Sequence, residues 1–309
     1  PMNELRVICA RFPRNELVSA ECLRLAGSLP DSEGVADHCA SLEYVAQSAY
    51  LSLGVRCLAE AAALDELAAQ VQMLGLTPER FKIEILRIER DPNFSVPDAL
   101  RCLADALQSY PDLHHPLSRF ILVVQERRLW FGEIVATCAH RYRLHDAKPF
   151  HTSVSLPSRL ARGLVDLVLP SARSVLDPFC GTGTILLEAQ AVGLLVHGVD
   201  ISAKMVRISQ DNLAHFGYQG IVEPGNAIQC NQKADAIVTD LPYGRGIKKI
   251  EQAENLEILK RLVGLAPQAI YLADEPIPDL LTSAGYQKID IYCVSKRVGM
   301  QRYVHFAVG

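Results

Sequence analysis

A regular alternation that begins at Ser174 constrains this chain more than any other feature. "SVLDPF" has the apolar run of a buried strand, followed by glycines and the helical "GTILLEAQAVG". "LLVHGVD" precedes the helical "AKMVRISQDNLAHFG", and "IVEPGNA" precedes the strand "ADAIVTD". Helix "NLEILKRLVGL", strand "AIYLAD" and two closing strands, "KIDIYCVS" and "RYVHFAV", complete the pattern. Strands that alternate with helices run parallel, with the helices covering both sheet faces. The two closing strands have no helix between them and predict a terminal antiparallel hairpin. The expected class is therefore α/β, doubly wound.

The first 140 or so residues lack this regularity. "ELRVICARF" reads as a strand, Asn15–Ala26 as a helix stopped by Gly27, and "LEYVAQSAYLSL" as a further helix before Gly54 and a short strand over Val55–Leu58. "LDELAAQVQML" is helical up to Gly75, "FKIEILRI" alternates like a strand, and "VPDALRCLADALQSY" is a helix opened by Pro97. "RFILVVQERRLWFGEIVATCA" predicts a hairpin turning at Glu126–Arg128, and "HRYRLHDAKPFHTS" a polar connector. Such mixing indicates small α+β units.

At 309 residues and 49% hydrophobic, the chain can bury two or three cores. No apolar run is long enough for a membrane span, and no charged–apolar–small signal pattern opens the chain. Nine cysteines without a Cys-x-x-Cys pair fit a reduced, cytoplasmic protein with neither a disulfide framework nor a metal cluster, so no metal is expected. The formal net charge of −4, with neither half basic, weighs against nucleic acid as a partner of the whole surface but leaves room for local basic patches.

In a doubly wound sheet the ligand lies at the C-terminal ends of the strands. The first strand ends in "LDPFCGTGT". Gly181 and Gly183 let the backbone approach a ligand at a helix N-terminus, yet the lysine of a phosphate-binding loop is missing and Leu186 stands where a dinucleotide fingerprint has its third glycine. Asp177 would repel a pyrophosphate and welcome a cation such as an α-ammonium group. Asp200, 23 residues later, ends the second strand, where an acid can accept both ribose hydroxyls. Asn226 in "GNA" can accept from an adenine amino group and donate to a ring nitrogen; the same residue also suits a plain turn. An ammonium site, a ribose site and an adenine site together match S-adenosylmethionine better than NAD or ATP.

The fourth strand ends in "TDLPYGR". Asp240-Leu241-Pro242-Tyr243 resembles the Asp/Asn-Pro-Pro-Tyr/Phe motif of methyltransferases that modify exocyclic amines of bases or amide nitrogens. Such an amine is a poor nucleophile because its lone pair is delocalised. Asp240 and the Leu241 carbonyl would accept its two hydrogens, aim the nitrogen and let the lone pair localise, while Tyr243 stacks on an extruded base. Leucine replaces the commoner proline; it keeps the needed carbonyl, and the lost ring predicts a looser corner.

The series "KPFHTSVSLPSRLARGLVDLV", "LDPFCGTGTILLEAQAVG", "VHGVDISAKMVRISQDNLAHFG" and "TDLPYGR" resembles the THUMP-containing tRNA guanine-N2 methyltransferases of class I, in particular those that act on guanine-10. The resemblance implies a ferredoxin-like unit over residues 1–58, a THUMP RNA-binding domain over 59–145, a linker over 146–155 and a Rossmann-like methyltransferase domain over 146–309. It implies a cofactor site that takes in Phe150, His151, Pro178, Phe179, Cys180, Ile201 and Ala227 besides Asp177, Gly181, Gly183, Asp200, Asn226 and Asp240. His151 suits an exposed connector equally well. The implied substrate is the N2 amine of a guanosine in tRNA, held by shape and phosphates rather than by sequence. Candidate phosphate contacts are Arg141, Arg143, Lys148, Arg245, Lys248 and Lys249, with Lys296, Arg297 and Arg302 on the closing hairpin; each also suits a solvated surface. A ribosomal guanine, a DNA adenine or a protein glutamine could meet the same corner, and a non-catalytic RNA-binding protein is the remaining alternative. No activating partner is indicated, and a monomer is expected.

Overall fold

The computed structural model describes residues 4–10, 15–88, 94–126, 128–153, 155–242, 252–297 and 300–309. Two compact units divide the chain: Pro1–Arg11, Ala26–Ala46 and Leu51–Cys138 form one, and Phe12–Leu25, Gln47–Tyr50 and Ala139–Gly309 form the other.

The elements up to residue 137 are β1 (Glu4–Cys9), α1 (Leu17–Ala26), β2 (Val35–Ala36), β3 (Leu51–Ala61), α2 (Leu64–Met73), β4 (Phe81–Arg87), α3 (Val96–Ala106), β5 (Ser118–Val124) and β6 (Leu129–Thr137). All of these except most of α1 belong to the first unit. Its six strands form one sheet in the order β2-β1-β3-β6-β5-β4. The expected division at residues 58/59 falls inside β3, which pairs with β1 on one side and β6 on the other. Strand alternation splits β5 between two cores. Phe120 and Leu122 join Leu67, Val71, Leu103 and Phe131 in one core, whereas Ile121 and Val123 join Ile8, Val55 and Trp130 in the other.

The second unit continues with α4 (Tyr142–His145), α5 (Ser158–Asp166), β7 (Ser174–Asp177), α6 (Thr184–Ala191), β8 (Leu195–Asp200), α7 (Ala203–His215), β9 (Ile221–Pro224), β10 (Ala236–Asp240), α8 (Gln252–Val263), β11 (Gln268–Ala273), α9 (Pro278–Ala284), β12 (Lys288–Arg297) and β13 (Met300–Val308). The seven strands lie in the order β12-β13-β11-β10-β7-β8-β9. β7 to β11 run parallel, and β12 and β13 are the antiparallel hairpin. The closing hairpin folds back so that β13, not β12, pairs with β11. Strand order reverses at β7, between β8 and β10, which opens a ligand crevice at their C-terminal ends.

Three local expectations are corrected. The helix expected over residues 42–53 is a single 3-10 turn, Val45–Gln47, followed by the long strand β3. The carboxylates of Glu21 and Asp166 take the N–H of Ala49, and Glu21 also takes that of Tyr50, so donors that a helix would use internally are spent on side chains. The polar connector carries the short helix α4 and buries Tyr142, His145 and Lys148. The helix α9, opened by Pro278, stands between β11 and the hairpin where none was read.

Candidate active site

Three aspartates end the three strands around the crevice: Asp177 on β7, Asp200 on β8 and Asp240 on β10. Asp177 is buried, and its Oδ1 accepts from Thr239 Oγ1 at 2.6 Å and from the Phe179 N–H at 3.1 Å. Burial pushes the Asp177 carboxyl up to about 7; the hydrogen bonds oppose that rise, and the charges of Asp240 and Asp200 add to it.

After Asp177 the chain passes buried Pro178, half-buried Phe179 and buried Cys180 into the glycine turn. Gly181 and Gly183 both have positive φ, +52° and +80°. They differ in surroundings. A side chain at Gly183 would collide with Ser209 on α7, whereas one at Gly181 would meet only the Phe179 carbonyl oxygen at 4.0 Å. Gly183 thus serves helix packing, and Gly181 leaves open space at the start of α6.

Asp200 supports this turn directly. Its Oδ2 accepts the Gly181 N–H at 2.9 Å and its Oδ1 accepts the Ser202 N–H at 2.9 Å. A carboxylate has about four acceptor positions, so two remain for a ligand. The next residue, Ile201, is 80% exposed, an unusual amount of apolar surface beside a crevice. Asn226 spends its Oδ1 on the Ile228 N–H at 3.1 Å, which leaves its amide N–H groups, but not the full amide pair expected, to meet an adenine. Ala227 behind it is buried.

Asn212 on α7, a residue that the sequence pattern did not single out, draws Phe150 to the glycine turn. Its Oδ1 accepts the Phe150 N–H at 3.0 Å, and its Nδ2 donates to the carbonyls of Phe150 and Thr182, each at 2.8 Å. Ser155 Oγ adds a 3.1 Å contact to Thr182 Oγ1. The Phe150 side chain is 45% exposed, and His151 is exposed.

At the corner, Asp240 is partly exposed and Leu241 is buried. The Leu241 N–H donates to the Leu272 carbonyl at 2.9 Å. Proline could not make this bond, so the leucine extends the β10–β11 ladder by one step where a looser corner was expected. Tyr243 lies outside the described residues. Arg302 from β13 forks onto Asp240, Nη1 to Oδ2 at 2.9 Å and Nη2 to Oδ1 at 2.5 Å, and its Nε lies 2.9 Å from Asp274 Oδ1.

The basic candidates separate. Arg141 and Arg143 are exposed. Lys148 is only 6% exposed, and burial lowers its pKa against the opposing pull of Asp146 and Glu188; it is no surface phosphate contact. Arg302 is likewise buried and committed to two carboxylates. Arg245, Lys248 and Lys249, and the side chains of Lys296 and Arg297, lie outside the described residues. Among the described residues no helix is long and apolar enough to cross a membrane.

Residues 145–265 match the family described as "UPF0020: RMKL-like, methyltransferase domain". The matched residues all lie in the second unit. Among curated relatives, the tRNA (guanine(10)-N2)-dimethyltransferase of Pyrococcus abyssi is 37% identical over 127 residues, 38% of this chain and 38% of that protein. The protein of the same name from Methanothermobacter thermautotrophicus is 42% identical over 101 residues, 31% of this chain and 30% of that protein. The one from Methanocaldococcus jannaschii is 29% identical over 266 residues, 76% of this chain and 69% of that protein. The first two matches therefore span only 38% and 30% of those relatives' length. The solved structure of TrmN from Thermus thermophilus has a TM-score of 0.51 at 17% identity, covering 99% of each chain, which shows the same fold. The UPF0020 match begins at residue 145, beside Lys148 and Phe150, and runs past the Asp240 corner, so it contains every cofactor-site candidate.

Proposed function

We propose that this chain is an S-adenosylmethionine-dependent methyltransferase that acts on the exocyclic N2 amine of a guanosine in tRNA, with guanosine-10 as the first position to test. The observation that carries this reading is the meeting of a glycine turn and three strand-end aspartates at the point where the strand order reverses. Relatives named for tRNA guanine-N2 methylation support the substrate.

The cofactor fits the residues present. Gly181 leaves open space in front of a helix N-terminus, Asp177 takes the hydrogen bonds of Thr239 and Phe179 on Oδ1 and would meet an ammonium group through Oδ2, Asp200 has spare acceptor positions for ribose hydroxyls, and Asn226 has amide hydrogens for an adenine nitrogen. Phe150, His151, Pro178, Phe179, Cys180, Ile201, Ala227 and Gly183 complete the proposed lining. When bound, S-adenosylmethionine supplies an electrophilic methyl group on a sulfonium. Asp240 and the Leu241 carbonyl hold the guanine amine by its two hydrogens, Pro242 stiffens the corner, and Tyr243 stacks on the base. Asp240 would stabilise the positive charge that develops on nitrogen as the N–C bond forms and the S–CH3 bond breaks, its electron pair returning to sulfur as a neutral thioether, and the nitrogen would then give up one proton to water.

Residues 59–145 are proposed as a THUMP domain that grips RNA, with Arg141 and Arg143 as exposed phosphate contacts. None of the nine cysteines is in a disulfide, which suits a reducing cytoplasm. The test is methyl transfer from labelled S-adenosylmethionine to unmodified tRNA, ribosomal RNA and DNA, with nucleosides identified by mass spectrometry. N2-methylguanosine in tRNA alone is the expected product. A methylated adenine in DNA, or product only in ribosomal RNA, overturns the substrate.

A further inference from the structure

We infer that Arg302 is the positioning residue for Asp240, fixing the plane of that carboxylate so that one lone pair on it points at the substrate amine. The inference rests on the reading of Asp240 given above, and begins from an unusual reach. Arg302 lies on β13, which pairs with β11 and not with β10. Register sets Ala273 opposite Tyr303 and Leu272 beside Asp240. The Arg302 side chain therefore passes the end of β11 to reach a residue one strand further on, 62 positions away in sequence.

The contact has the geometry of a clamp. Both terminal nitrogens bond, one to each oxygen of Asp240, which fixes the carboxylate plane as a single hydrogen bond cannot. Arg302 is itself held from behind, where its Nε meets Asp274 Oδ1 at 2.9 Å as a charge contact without aligned hydrogen-bond geometry. Its side chain is 8% exposed while that of Asp240 is 29% exposed, so the clamp is buried and the clamped group faces the crevice. Each carboxylate oxygen accepts in two directions, and the fork uses one on each. Acceptor capacity for an incoming N–H remains, with its direction set.

Charge gives the same assignment. Asp177, Asp200, Asp240 and Asp274 end or follow parallel strands at their C-terminal ends, and Arg302 places a buried cation against two of them, Asp240 and Asp274. The corner keeps Pro242 but lacks the first of the two proline rings that its sequence motif usually has, and the Leu241–Leu272 backbone bond and the Arg302 fork supply stiffness in its place.

The test compares the full-length wild type with Arg302→Met and Arg302→Lys, on whichever nucleic acid the wild type methylates. Cofactor affinity is read by calorimetry, and kcat and KM by initial rates. Arg302→Met is expected to lower kcat by roughly 10²-fold, the scale of a misplaced reacting group, with cofactor Kd and nucleic-acid KM within about twofold of wild type. Arg302→Lys restores the charge without the fork and should recover only part of that loss. If Arg302→Met does not fold, Arg302→Lys carries the test alone: a lowered kcat at unchanged Kd supports the clamp, and wild-type kcat overturns it. A wild-type kcat in either variant overturns the inference while leaving the methyltransferase reading intact. A loss of kcat and cofactor affinity together also overturns it, because that marks a scaffold residue. A wild type that methylates none of tRNA, ribosomal RNA or DNA overturns the reading of Asp240, and this inference falls with it.

Discussion

Asn212 holds both backbone polar groups of Phe150, the N–H through Oδ1 and the carbonyl through Nδ2, and shares the same Nδ2 with Thr182 in the glycine turn. Two segments separated in the chain are thereby fixed to one amide on α7. Asn212 is fully buried, so no water takes its place when it is removed. Asn212→Leu keeps the number of side-chain heavy atoms and strips all three bonds. It is expected to destabilise the fold by about 2–4 kcal/mol, since several buried groups lose their partners. Cofactor affinity should fall about tenfold as the Phe150 segment loosens. Urea unfolding and calorimetry measure the two effects.

If Asp177 holds the ammonium group as proposed, cofactor binding is expected to depend on pH. The Asp177 carboxyl titrates near 7 in the ligand-free site, chiefly because it is buried. An ammonium group binds the ionised form, so affinity should rise with pH up to about 7 and level off above it. Below that point each pH unit should cost close to a factor of ten. Thr239→Val removes the hydroxyl that stabilises the carboxylate and should move the midpoint upward. Calorimetric titration between pH 5.5 and 8.5 decides it; a pH-independent Kd removes Asp177 as the ammonium partner.

Glu21 and Asp166 form a buried acid pair around the Ala49 N–H. Burial raises both, Glu21 well above its usual range and Asp166 to about 6, with Glu21 raised further by the charge of Asp166. Acids whose folded values lie above their unfolded ones stabilise the fold at low pH and lose that contribution as pH rises. For Asp166 the window runs from its unfolded value of 3.8 to about 6. The lost stability is about 3 kcal/mol at most. Asp166→Asn keeps an acceptor for Ala49 and removes one acid. Its unfolding free energy should be flatter than wild type between pH 4 and 7, and higher at pH 8.

Leu241→Pro would restore the commoner motif at the cost of the bond to the Leu272 carbonyl. The substitution should lower stability by about 1–2 kcal/mol, as expected for one lost ladder bond and its unpaired carbonyl. A thermal melt at or above the wild-type value would mean that the bond contributes nothing.

Asp240→Ala separates binding from chemistry. Cofactor affinity should stay within about threefold of wild type while turnover falls by 10² or more, the scale of losing one preorganised electrostatic partner. Asp200→Ala should do the reverse in part, weakening cofactor binding first, because Asp200 both faces the crevice and supports the Gly181 N–H.

The sequence by itself determined the framework of the site. Strand–helix alternation is a local pattern, and the residue that ends each apolar run is therefore countable. Asp177, Asp200 and Asp240 fall at strand ends because the run of side chains before each is apolar and the turn after each is rich in Gly, Pro or Ser. Even Gly181 and Gly183 were readable as a turn, although only packing separates the helix-facing Gly183 from the open Gly181.

Tertiary structure decided the partners. Thr239, Asn212 and Arg302 each act on a residue from another element, and no period in the chain announces a hydrogen bond between elements. The order of the closing strands put β13 beside β11 and so brought Arg302 within reach of Asp240, a consequence of sheet topology that strand periodicity does not contain. Burial was equally hidden. Lys148 reads as a surface cation in a polar stretch, yet it is covered; Ala49 and Tyr50 sit in a helical pattern, yet their N–H groups serve buried carboxylates. Local propensity is worth tenths of a kcal/mol per residue, and a satisfied buried acceptor outweighs it.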